Sequence, residues 1–487
     1  MHMRSLNMSS KFRGSVLQWI ILSLLSMVAG VGAIKTAELP PQWIVLVSLA
    51  LLFLFVVILY GNIRKSLLTL ILFDIPFQFD INIGYRDEVA EFGALGGWNL
   101  SITSIALLAL YTLWFLETSG NRDNDSRVNN FYYSIRPLTV YIGFCLLSIV
   151  VARDTELSLF KNFMLLQQFL LFVYIIGTVK SREDIKFILG LLFIGVVLEG
   201  TIFILLYKIG HTIEIAGLSA RVDKGLRIGG TVGGPNTAGS YFALLLVPAL
   251  SMILANVRNS FKWLGIVSFC LGTVALILTF SRGGFLAFTL SITIFIFVSW
   301  YRGWLPLLVP IVLVIVTILV ALCFHQVLID RIFGDDDGAA LSRIPLIKLA
   351  LQIIVANPLL GVGVNNFTII MKDYITGDLR GMWLYAVHNK YLLVWAEIGT
   401  GGLVAFLWFL GSSIRNSWKS WQTQDPLLAP VGLALSCAIV GHMVHMNFDT
   451  FQKRPTIQVF WICCALSLAI FNSLKSERSE LKGRVQA

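Results

Sequence analysis

Three short stretches of this chain hold residues suited to chemistry on an anion and a hydroxyl. His388 and Asn389 lie just ahead of an apolar run, and Glu397 follows nine residues after His388. A neutral imidazole titrates near neutrality and accepts a proton from a hydroxyl. Arg282 follows another long apolar run and precedes Gly283 and Gly284. Its guanidinium can fork onto a phosphate, and the glycines let a bulky anion approach the backbone. The third stretch, RIGGTVGGPN from Arg227 to Asn236, sets four glycines and a proline before a further apolar run. Glycine-rich backbone ahead of a helix N-terminus cradles phosphate. Asn236 reads as the N-cap of that helix, and Arg227 adds charge beside Arg221 and Lys224. Each stretch has a plainer reading as well: an exposed histidine, a boundary arginine, a flexible linker. The candidates are His388, Arg282 and Arg227 for catalysis, with Arg221, Asn236, Gly283 and Asn389 for substrate binding.

Other polar groups are weaker. His442 and His445 lie one helical turn apart, followed by Asp449. A metal pair is one reading; buried polar packing is the preferred one, with His445 and Asp449 as supporting residues. Lys161 and Glu199 fall inside apolar runs and need partners on other helices. The six cysteines show no metal-ligand spacing and read as small buried residues. The sequence has no GxxxxGK, no GxGxxG opening a helix after a strand and no HExxH. No cofactor or metal is expected.

The elements that must position these residues are membrane helices. The chain has 487 residues, is 57% hydrophobic and only 13% charged, with a mean hydropathy of +0.80. Soluble domains carry about 25% charged residues. Apolar runs recur roughly fourteen times, long enough for helices and without the alternation of barrel strands. They fall near 15–34, 43–61, 66–79, 98–117, 138–152, 158–178, 187–207, 237–256, 263–280, 284–300, 304–323, 391–411, 428–447 and 456–474. The third is short and carries Asp74 and Pro76, so it is expected to break or re-enter. The fold class is therefore all-α and polytopic.

The net charge of +10 belongs to short loops rather than to a nucleic-acid surface. Lys and Arg recur in alternate loops (Arg64 and Lys65; Lys180, Arg182 and Lys186; Arg258 and Lys262; Arg415 and Lys419) and in both termini. That places both termini in the cytoplasm and makes contact with anionic lipid headgroups. The opposite side holds Asp80, Asp87, Glu88, Asp154 and the run Asp335–Asp337. All three candidate stretches emerge on this outer side. No internal repeat of the transporter kind is visible. The long polar interruption from His325 to Lys390 is itself expected to be helical. Apolar spacing predicts a helix from Ile344 to Val355, stopped at Asn357-Pro358, then a glycine turn and a second short helix at FTIIMKDYI. An amphipathic pair on the membrane surface fits; a packed cap without chemistry is the alternative.

The pattern His388-Asn389, nine residues, then Gly399 to Gly402 as GTGG resembles the signature of the O-antigen ligase and O-antigen polymerase superfamily. SRGG at Ser281–Gly284, ANPLLGVGVNNF at Ala356–Phe367, and an arginine followed by glycines and Pro-Asn at Arg227–Asn236 also look like that family. The resemblance covers residues 220–410. It implies three regions: N-terminal helices (1–220), a catalytic region with the outer loop 324–390 (221–410), and C-terminal helices with a cytoplasmic tail (411–487). It further implies a metal-independent, inverting glycosyltransferase of the GT-C type in a bacterial cytoplasmic (inner) membrane. The implied donor is a glycan on undecaprenyl diphosphate. Ligases deliver it to lipid A–core; polymerases deliver it to another lipid-linked repeat unit, alongside a chain-length regulator. The essential arginines and histidine of the family fall on Arg227, Arg282 and His388. A span count above the roughly twelve expected of a ligase favours a polymerase. The competing class is a transporter of bicarbonate or another small solute. It needs ionisable residues along a path from both sides, whereas these candidates gather on one.

Overall fold

The computed structural model describes residues 61–118, 125–215, 218–312, 314–315, 343–375 and 385–486. The expected spans at 15–34 and 43–60, the second half of the one at 304–323, and the acidic run Asp335–Asp337 lie outside them. The chain forms two compact units, residues 1–66 with 213–219, and residues 67–212 with 220–487. Of the first, the described residues include the start of α1 (Ile63–Phe77) and the strand β3 (Ile213–Ile215). The second holds every candidate residue.

The protein is an all-helical membrane protein in its spanning parts. In hydrocarbon every backbone polar group must be satisfied within its own segment, so apolar runs become helices. Eight helices among the described residues are long and apolar enough to cross a membrane. They lie within α3 (Asp125–Leu147, continued as a 3-10 turn to Val151), α4 (Thr155–Thr178), α5 (Arg182–Ile209), α7 (Asn259–Thr279), α8 (Arg282–Tyr301), α11 (Lys390–Trp421), α12 (Leu428–His445) and α13 (Arg454–Gln486). Between them stand the shorter α2 (Ile102–Thr118) and α6 (Pro235–Ser251). Local chemistry sets several ends. Ser181 and Asp184 form a capping box at the start of α5, and Gly210 ends that helix in the left-handed conformation. α6 is the central element: Phe242, Leu244, Leu246 and Val247 are fully buried, and it packs against α7, α8 and α12.

Four features depart from the expected pattern. The run expected to start at residue 98 becomes helical only at Ile102. Trp98–Ser101 (β2) pairs antiparallel with Asp80–Ile83 (β1) instead. The run expected at 391–411 extends to Trp421 and is interrupted at Gly399, which adopts φ 71°. A Cβ there would sit 2.0 Å from the Leu359 carbonyl oxygen, so only glycine lets the loop at 358–363 dock. Cys270 is exposed on α7, whereas Cys145, Cys437, Cys463 and Cys464 are buried as expected. α9 (Arg343–Ala356) forms where expected, but it is not amphipathic. One face buries Leu346, Leu349, Ala350, Ile353 and Ile354, while Ile344, Ile347, Leu351 and Val355 point outward. Residues three and four apart share a helix face, so both faces of α9 are apolar. The second short helix is also present as α10 (Phe367–Ile370), followed by a 3-10 turn.

α1 ends at Phe77 after Pro76, and its Asp74 is clamped from the far end of the chain. Arg454, the first residue of α13 and 3% exposed, reaches the Asp74 carboxylate at 3.0 Å and Asp80 at 2.6 Å. Thr103 and Gln458 complete the network. A buried guanidinium is tolerable when its donors are matched this fully.

Candidate functional site

The arginine-bearing stretches meet at one end of the bundle. Arg227 opens β5 (Arg227–Gly230), which pairs with β4 (Leu218–Asp223) so that Arg221 faces Gly230 and Asp223 faces Arg227. A hairpin therefore stands where a flexible linker was the plainer reading. Arg227 is half-buried. Its Nη2 donates to the Asn236 side-chain oxygen at 3.0 Å and its Nε to the Thr279 carbonyl at 3.4 Å. This corrects the role expected of Asn236. The N-cap of α6 is Gly234, with Pro235 in the first turn, and the Asn236 amide holds the arginine instead. The hairpin is tied further down, where Thr231 donates to the buried Glu199 carboxylate of α5. Gln78 donates to the Thr231 carbonyl at 2.7 Å.

Thr279 leads into the second stretch. Phe280 takes a left-handed φ of 49° and ends α7. Ser281 then caps α8, accepting the Gly284 amide at 3.2 Å, and Arg282 is the first residue of α8, exposed. The two glycines after it serve packing. A Cβ on Gly284 would press on the Gly239 backbone at 3.1 Å, and one on Gly283 would sit 2.3 Å from the His445 ring. The positive ends of α6 and α8 thus open beside Arg227 and Arg282, an arrangement that favours anions.

His445 leads to the third stretch. His442 pairs with the Ser240 hydroxyl at 3.2 Å, and His445 packs edge-on to Phe451. Both are buried on α12 against neighbouring helices. His388 precedes α11 and stacks beside Tyr385, ring centroids 5.3 Å apart. Its Nδ1 is buried. Burial lowers the His388 pKa from its ordinary value; Asp449 opposes this and Arg343 reinforces it. The ring is therefore neutral near pH 7. Asn389 is the N-cap of α11, accepting the Leu392 amide at 3.0 Å and reaching the Asn447 carbonyl. Its side chain fixes the helix start. The next amide, of Lys390, donates to the Met446 carbonyl at 2.7 Å, locking this corner to the end of α12.

The β4–β5 hairpin joins the two corners. While Arg227 stands at the α7–α8 junction, Arg221 pairs with Asp223 at 2.5 Å and acts electrostatically on Tyr385 and Lys453. Burial lowers the Lys453 amine, Arg221 adds to the effect, and Asp449 and Asp223 oppose it. Burial raises the Tyr385 phenol, and Asp449 adds to that. Asp449 therefore acts electrostatically on His388, His445, Tyr385 and Lys453. Tyr385 and Lys453 carry no motif, and nothing in the sequence marks them. Lys161 and Glu199 pair with loop residues rather than with other helices: Lys161 donates to the Gln452 carbonyl at 2.7 Å, and Glu199 accepts from Thr231. Among the described residues, no group of three or more His, Cys, Asp and Glu side chains could hold a metal ion.

Residues 266–407 match the family model described as O-antigen ligase. No curated protein matches the chain significantly. The matched segment contains Arg282, His388 and the Gly399 break, and it ends before Asp449 and Arg454.

Proposed function

We propose, on the premise that residues 266–407 of this helical membrane protein are an O-antigen ligase domain, that the chain transfers a glycan from a polyprenyl diphosphate to an acceptor hydroxyl. The observation that carries the reading is the convergence of Arg227, Arg282 and His388 at one end of the bundle. They are linked through Thr279, three residues before Arg282, through Gly283, which packs on His445, and through Met446, whose carbonyl holds the Lys390 amide two residues after His388.

The chemistry follows from the groups present. The departing diphosphate gains negative charge as the glycosyl bond breaks. Arg282, Arg227 and the positive ends of α8 and α6 stabilise that charge. The acceptor hydroxyl attacks from the opposite face of the sugar and gives its proton to the neutral His388 ring. A single displacement of this kind inverts the anomeric centre. Asp449 stabilises the imidazolium that results. The glycosyl–diphosphate bond supplies the energy, so the reaction needs no nucleotide. By the charge of the short loops, this end is the outer face of a bacterial cytoplasmic membrane. Repeat-unit polymerisation is favoured over delivery to lipid A–core, on the count of apolar runs.

The test is transfer by the purified chain in nanodiscs, supplied with undecaprenyl-diphosphate repeat units, a chelator and no ATP. A ladder of lipid-linked products supports polymerisation. Product only on added lipid A–core supports ligation. Solute uptake by proteoliposomes without any transfer overturns both in favour of transport.

A further inference from the structure

A second recess lies apart from the arginines and His388, where the turn after α9 meets the end of α3. It is a cavity of about 470 Å³ lined by Val151, Asn357, Gly361, Ile370, Asp373 and Tyr374. That is within the size range of small-molecule sites. Its floor is rigid. The Val362 and Gly363 amides donate to the Ala396 and Glu397 carbonyls at 3.0 and 2.9 Å, and Thr400 donates to the Pro358 carbonyl at 2.9 Å. Beneath them Asn366 exchanges hydrogen bonds with the Asp154 backbone, and Asn365 does the same with Leu95.

The lining selects the chemistry of a ligand. Asp373 is matched by Arg153, so the wall carries no excess charge for a phosphate. Asn357 donates one N–H to the Ile353 carbonyl at 3.2 Å, which leaves its side-chain oxygen as an acceptor. Tyr374 offers a half-buried ring, and Val151 and Ile370 offer apolar surface. An acceptor amide, a carboxylate and an aromatic face together suit a saccharide, whose hydroxyls both donate and accept and whose C–H faces stack on rings. A lipid tail would leave these polar groups unmatched. The position fits as well. The loop docks on α11 at Ala396 and Glu397, about 12 Å along the helix from Asn389 at 1.5 Å per residue.

We propose that this recess is a saccharide subsite, holding neutral sugars of the glycan chain remote from the hydroxyl that reacts. The assignment of those sugars rests on the glycosyl-transfer reading above; the binding itself does not. The probe is the free repeat-unit oligosaccharide, released by mild acid from the surface polysaccharide of the source cell. It is added to the full chain in nanodiscs and followed by saturation-transfer NMR. Tyr374→Ala and Val151→Trp, the second filling the recess from an exposed position, are expected to weaken binding roughly tenfold. In the transfer assay the same variants raise KM by a similar factor and leave kcat within about twofold, the mark of lost uniform binding. Asn357→Ala replaces Val151→Trp if the latter fails to insert. Equal binding by wild type and variants, or none by wild type, overturns the subsite. Binding that the variants lose, without any transfer by wild type, upholds the subsite and removes the glycosyl-transfer reading.

Discussion

The two corners of the candidate site are built on different physics. The arginine corner is set by backbone. Helix ends, a hairpin and two glycines leave no slack around Arg227 and Arg282, and the arginines reach out from a rigid frame. The histidine corner is also anchored by backbone, at the Asn389 cap and the Lys390 amide, but burial and charge are added to the frame. Asp449 and Arg343 act on His388, and Asp449 and Arg221 act on Tyr385 and Lys453. A group that must meet an anion of fixed shape benefits from rigidity. A group that must exchange a proton benefits from neighbours that tune it.

Substitutions probe that contrast from the largest effect to the smallest. His388→Ala removes the base and is expected to slow transfer by about 10²–10⁴-fold, with normal membrane insertion. Arg282→Ala is expected to cost about 10²–10³-fold in kcat, and Arg282→Lys to recover little, because an ammonium does not reproduce a bidentate fork. Gly283→Ala drives a methyl into the His445 ring and is expected to lower activity roughly tenfold by displacing the start of α8. Adding His445→Ala should restore part of it if packing is the cause; no recovery would place His445 in the chemistry instead. The smallest effect is on pH dependence. Activity is lost as pH falls through the His388 pKa, which burial already holds below its ordinary value. Arg343→Gln removes a lowering influence and should move the acid limb up. Asp449→Asn removes a raising one and should move it down, each by about one pH unit or less. Parallel shifts in both variants would show that the limb belongs to another group.

Much of this was legible in sequence because it is local. Apolar runs dictate helices, and Asn357-Pro358 and Gly283-Gly284 mark their ends within a few residues. The helix over residues 344–355 follows from spacing alone. What was not legible joins distant positions. Four-residue strands such as Arg227–Gly230 carry too little pattern to announce a hairpin, so the partnership of Arg221 and Arg227 stayed hidden. Asn236 looked like a cap because an asparagine before a helix usually is one; a tertiary contact with Arg227 took its side chain. The groups that act on His388 come from residues 343, 385 and 449, and no spacing rule connects the two distant ones to it. Gly399 read as part of a motif, yet its physical reason is the carbonyl of Leu359.

The clamp of Arg454 on Asp74 and Asp80 bears on the order of assembly. The chain leaves the ribosome N-terminus first, so α1 enters the bilayer with a carboxylate whose partner lies 380 residues downstream. α13 follows the other helices among the described residues. Until it is made, the bundle carries uncompensated acid among its early helices, and a nascent chain stopped before Arg454 retains that defect. Closure of the bundle thus waits on the synthesis of Arg454, and quality control in the membrane has a charge to read until it happens.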